Sequence, residues 1–100
     1  MIRVRFKTAD DAIIGFSLSG HAGAGEYGED IVCAAVSSAA YMTANTVTEI
    51  VGATATITVD DGYMDLTVTQ RIKECQEVLS GFRLHLQAMT EEYPTRIQLN

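Results

Sequence analysis

The sequence predicts an α+β fold in the order ββαββαβ, a mostly antiparallel sheet with two helices packed on one face. Three observations carry that reading. Two stretches alternate apolar and polar residues on either side of a turn, two longer stretches repeat apolar residues at helical spacing, and a short alternating tail closes the chain. Each hairpin presents one apolar side, and the helix that follows it is the element available to cover that side.

Ile2, Val4 and Phe6 alternate with Arg3, Arg5 and Lys7, the period of a half-buried strand. Ala9-Asp10-Asp11 reads as a tight turn, after which Ala12, Ile14, Phe16 and Leu18 resume the alternation. Residues 1–19 therefore form a hairpin that ends at Ser19-Gly20-His21. The segment from Gly20 to Glu29 holds Gly20, Gly23, Gly25 and Gly28 and has no apolar period, so a mobile loop is expected there. Val32, Ala35, Val36, Ala39, Thr43, Thr46, Val47 and Ile50 then fall at helical spacing, with Gly52 placed to end the helix and Asp30 placed as its N-cap or in its first turn. Ala55, Ile57 and Val59, the Asp60-Asp61-Gly62 turn, and Met64, Leu66 and Val68 make a second hairpin. Ile72, Cys75, Leu79, Phe82, Leu86, Met89 and Tyr93 mark the stripe of a second helix, Pro94 stops it, and Arg96–Leu99 add a last strand.

A chain of 100 residues, 47% apolar, is sized for one domain over residues 1–100. Neither a linker nor an alignable repeat is present. No apolar run is read as approaching the roughly 20 residues of a membrane span, and the charged, alternating N-terminus is unlike a signal segment. A cytoplasmic protein with no membrane partner is expected. The net charge of −6 excludes a nonspecific nucleic-acid binder and is compatible with a basic protein partner. In that compartment Cys33 and Cys75 are expected to be reduced.

Chemistry is concentrated where Gly20-His21-Ala22 ends a strand and Gly28-Glu29-Asp30-Ile31-Val32-Cys33 opens a helix. In a first helical turn Cys33 would meet the positive end of the dipole and unpaired N–H groups, which favour thiolate over thiol. Those groups could also receive the oxyanion of a tetrahedral intermediate. His21 precedes Cys33 by twelve positions, and the glycine-rich loop can fold back to bring the two together. Cysteine acyl transfer, with a thiol nucleophile and an imidazole base, fits that pairing.

The pattern Gly20-His21-Ala22, a short variable loop, then Gly28-x-Asp30-x-x-Cys33-Ala34-Ala35-x-Ser37 resembles the ribosomal-processing cysteine protease family, Prp. The resemblance extends more weakly over the whole chain, through its length, element order and Tyr93-Pro94. It implies an endopeptidase that removes a short N-terminal extension from a large-subunit ribosomal protein, with His21 as base and Cys33 as nucleophile. It also implies a homodimer, and a cut after an apolar stretch ending in phenylalanine, with Ala22, Gly23, Ala24, Gly25, Glu26, Tyr27 and Gly28 as a substrate-gating loop. Asp30 has two readings, a helix cap or a third member that orients His21. Gly20 and Ser37 are candidates for local support.

Other readings of the same residues are weaker. A structural cysteine is the alternative for Cys33, and it is the preferred reading for Cys75 on its apolar stripe. His85 lies off that stripe and is expected in solvent. Two cysteines and two histidines far apart give no zinc spacing, and the glycine run lacks both the P-loop ending and the dinucleotide order, so no metal or cofactor is expected. Two other functions stand beside the protease: a noncatalytic module holding a ribosomal-protein tail, and a redox-sensing thiol.

Overall fold

The computed structural model describes residues 1–20 and 27–100, with the backbone alone for residues 27–30. Strands β1 (Ile2–Ala9), β2 (Ala12–Ser19), β3 (Thr54–Asp60), β4 (Tyr63–Gln70) and β5 (Ile97–Leu99) form one sheet in the spatial order β3-β4-β2-β1-β5. Every neighbouring pair is antiparallel except β1 and β5, which lie parallel because the chain crosses over through a helix before β5. Helices α1 (Tyr27–Asn45) and α2 (Gln76–Glu92) follow the two hairpins, as the sequence predicts.

Both helices bury their apolar stripes in the same cluster as the inner face of the sheet. Ile2 and Val4 of β1, Phe16 and Leu18 of β2, and Met64, Leu66 and Val68 of β4 meet Val32, Val36, Ala40, Ala44 and Val47 from the first helical segment and Leu79, Phe82, Leu86 and Met89 from α2. Phe16 and Phe82 stack at 4.7 Å between ring centroids, with Phe6 set against Phe82 at 5.6 Å, so three rings tie β1 and β2 to α2.

Several details of the sequence reading change. The alternation through β2 shifts phase at a bulge, where Lys7 pairs with Gly15 but Thr8 pairs with Ile13. The extra residue turns Ile13 into the core and leaves Ile14 half-buried, the reverse of the expected pattern. The side chain of Gln76 holds the bulge, accepting from the Ile13 amide and donating to the Ile13 carbonyl, each at 2.8 Å. In α1 the buried stripe runs through Val32, Val36, Ala40 and Ala44, while Ala35, and Ile50 beyond the end of α1, are exposed. Ile57 and Val59 are 39% and 50% exposed because β3 is the sheet's edge strand, beyond the cover of the helices.

The first helix also loosens at its end. Thr43, Thr46 and Thr48 donate their hydroxyls to the carbonyls four residues earlier, and from Thr46 to Ile50 the backbone widens into a π-helical turn. Gly52, at φ +75°, ends it as the sequence predicts. From Ile31 to Ile50 this segment is long and apolar enough, by length and composition, to cross a membrane, contrary to the sequence expectation. Serine, threonine and alanine hide that property, since the segment lacks charge more than it abounds in large apolar residues. Its buried stripe packs on the sheet, as a core helix does.

Gly15 supports the pairing of β2 with β4. A Cβ at this position would collide with the Leu66 carbonyl of the neighbouring strand, and backbone has little room to yield. Gly15→Ala is expected to lower stability by about 2–3 kcal/mol, read as a lower urea midpoint at unchanged denaturant slope.

Candidate active site

A cleft of about 240 Å³ opens where the end of β2, the β3–β4 turn and the first half of α1 converge. Its floor is apolar, built from Ile2, Leu18, Val36 and Met64, all buried. Cys33, Ser37 and Tyr41 project into it from one face of α1, at the four-residue spacing that aligns side chains along a helix. The opposite rim is Gly20 together with Asp60, Asp61, Gly62 and Tyr63.

Gly20 holds the two walls together. Its amide donates to the Gly62 carbonyl at 3.1 Å, continuing the β2–β4 pairing one step past Ser19 and Tyr63. Its φ is +99°, and a Cβ there would strike the Met1 carbonyl, so a side chain is excluded twice over. The supporting role expected of Gly20 thus has a concrete form. Ser37, the other expected support, lies on the cleft wall one turn beyond Cys33.

His21, Ala22, Gly23, Ala24, Gly25 and Glu26 lie outside the described residues. The expected loop is shorter than the sequence suggests, because Tyr27, Gly28 and Glu29 already belong to α1. Asp30 consequently lies three residues inside the helix, in its first turn and not at its cap. Glu29 and Asp30 bring acidic residues to the positive end of the dipole, a composition that favours starting the helix this early.

Cys33 moves accordingly from the expected first turn to the second. The unpaired amides of an α-helix are its first four, here residues 27–30, so neither they nor the strongest part of the dipole lies at Cys33. The thiol is half-buried, packed partly against the core and partly facing the cleft. That position suits a group that must be both held and reached by a ligand.

Sequence reasoning missed the second wall. Tyr41 was detectable, being eight residues after Cys33 on the same helical face. Asp60, Asp61 and Tyr63 were legible as turn and strand residues, but nothing local says that this turn faces Cys33. The other cysteine, Cys75, is fully buried just before α2, and burial, with a smaller contribution from Glu74, pushes its thiol above the ordinary value of 9.0. His85 is exposed on α2, as expected.

A sheet-and-two-helix domain with a thiol on the wall of an apolar-floored cleft is the class that these features define. Residues 1–98 match the family described as Cysteine protease Prp, and the chain belongs to that family. It is 35% identical over 86 residues to the ribosomal processing cysteine protease Prp of Staphylococcus aureus, covering 83% of this chain and 81% of the relative. Two crystal structures of the Staphylococcus aureus protease superpose along the full chain and 98% of theirs. One, with a substrate peptide, gives a TM-score of 0.90 at 31% identity, and the other, with a covalently linked product peptide, gives 0.88 at 32%. Family membership sets the binding-module and redox-sensor readings aside.

The two thiols should be distinguishable in solution. Iodoacetamide is expected to add one group to the folded protein, at Cys33, and a second at Cys75 only in denaturant, as read by intact mass. Because the folded state holds Cys75 protonated, the stability it contributes is complete below pH 9.0 and declines as pH rises through and above that value, where the unfolded chain ionises first. Urea midpoints measured from pH 8 to about 10.5 should fall less steeply for Cys75→Ala than for the unaltered protein.

Proposed function

We propose that this chain is a cytoplasmic endopeptidase that removes a short N-terminal extension from a large-subunit ribosomal protein during ribosome biogenesis, with Cys33 as nucleophile and His21 as base. The observation that carries the reading is the Cys33 thiol set on the wall of the cleft, in a chain of the Prp family. The covalently linked product peptide of the Staphylococcus aureus relative supports a covalent route for this one.

In the proposed reaction His21 takes the thiol proton and the Cys33 sulfur attacks the scissile carbonyl carbon. The tetrahedral intermediate collapses by breaking the C–N bond, and the amine leaves with the proton returned from the imidazole. Water, deprotonated by His21, then attacks the thioester, releasing the N-terminal fragment as a carboxylate and restoring the thiol. Ile2, Leu18, Val36 and Met64 give the cleft a dry floor suited to an apolar side chain near the cut.

A homodimer is the assembly we propose. Supporting it, α1 and the π-helical turn have no charged residue from Ile31 to Thr48, yet Ile31 and Met42, on one helix face, are exposed. An uncharged exposed helix face of this kind is usual at a protein contact and unusual in solvent.

Incubation with the extended ribosomal protein tests the reaction. The unaltered protein should release one fixed N-terminal peptide by intact mass, and Cys33→Ala should slow release by about a thousandfold or more while staying folded. Equal cleavage by both would exclude Cys33 as nucleophile. Met42→Glu should shift sedimentation from dimer to monomer if the uncharged face is the contact.

A further inference from the structure

We propose that Val59 and Ile57 form an outer subsite of the cleft, an apolar shelf on the edge of the sheet that takes an apolar side chain of the substrate a few residues from the scissile bond. The proposal rests on the protease reading and names one chemical requirement of its substrate.

The strand register puts the shelf and the cleft floor on one surface. Residues directly opposite each other on neighbouring strands share a face of the sheet. Leu18 pairs with Met64, and Met64 pairs with Val59. The next row repeats the arrangement, Phe16 with Leu66 and Leu66 with Ile57. Leu18 and Met64 are buried and floor the cleft, whereas one strand further out Val59 is 50% exposed and Ile57 39%. The apolar surface under the cleft therefore does not stop at its rim but runs on to β3. Thr56, Thr58 and Asp60, opposite Thr67, Asp65 and Tyr63, lie on the other face, so no charged side chain of β3 interrupts it.

The edge itself is unguarded. β3 is the last strand of the sheet, and edge strands are ordinarily protected by lysine, proline or a charge on the inner face. Thr54–Asp60 has none of these, its one charge standing at the end of the strand and on the outer face. A valine and an isoleucine left in water beside a cleft mark a surface that is covered in use. Continuity with the cleft floor identifies the cover as the chain that the cleft binds. Strands about 4.8 Å apart set Val59 about 10 Å from Leu18, the length of about three residues of extended chain. A peptide seated over Leu18 and leaving across Met64 thus brings a nearby side chain onto the shelf, where nothing but apolar surface meets it.

The test is a panel of peptides spanning the cut, with Leu or Ser at each position within about five residues of it, assayed with the unaltered protein, Val59→Thr and Ile57→Thr. Threonine keeps the β-branch and the strand preference, so the edge strand is preserved. At one position beyond the two that flank the cut, the unaltered protein should prefer Leu to Ser by about tenfold in kcat/KM, mainly through KM. Val59→Thr, and to a smaller extent Ile57→Thr, should reduce that preference to about threefold or less while the preferences at other positions persist. Equal rates on Leu and Ser peptides at every such position would overturn the proposal, as would a preference that both variants leave intact. A change in sedimentation of the variants with the preference intact would assign the edge to a second copy of the chain and overturn it likewise. Failure of the unaltered protein to cut any peptide would instead remove the protease reading, and this inference with it.

Discussion

At Gly20 three parts of the chain meet, and one of them, Met1, comes closer than a side chain permits. Its amide reaches the Gly62 carbonyl at 3.1 Å, and its α-carbon lies against the Met1 carbonyl with φ at +99°. The end of β2, the β3–β4 turn and the start of β1 are thereby fixed in one place, and that place is the rim of the cleft. An alanine here would meet both a backbone collision and a disfavoured dihedral angle, costs that add because neither relieves the other. The rim's position opposite Cys33 depends on a residue with no functional group at all.

The helix that supplies Cys33 answers to two surroundings at once. Val32, Val36, Ala40 and Ala44 face the core, while Cys33, Ser37 and Tyr41, each one residue further along, are turned by about 100° toward the cleft. Neither face accepts a charge without loss, the first because it is buried and the second because it borders an apolar floor. The small residues on the buried stripe also let α1 lie close to the sheet. The three threonine hydroxyls that widen the helix lie beyond this functional stretch, so the loosening at Thr46 leaves the Cys33 face regular.

What the sequence made legible was local. Both hairpins, both apolar stripes and the stop at Pro94 follow from periodicity and turn chemistry, which act over a few residues. The bulge in β2 was not legible because Ile13 and Ile14 are the same residue type, and only the pairing with β1 decides which faces inward. Gly28 hid the start of α1, since a glycine ordinarily reads as loop and the acidic residues after it read as a cap. Cys33 stood out through its motif, yet the wall opposite did not, because the β2–β4 pairing joins residues far apart in sequence and no periodicity reports it.

The corrected helix start alters the chemistry expected of the thiol. Had Cys33 occupied the first turn, unpaired amides and dipole would both have favoured its anion, and a base would have been a secondary aid. In the second turn its own amide is committed to the carbonyl four residues back, and the dipole's effect has largely faded. Cys75, which immediately precedes α2, shows that a helix start does not by itself favour ionisation, for burial overrides it and raises the thiol. In the proposed reaction the proton of Cys33 therefore depends on a side-chain acceptor, the role proposed for His21.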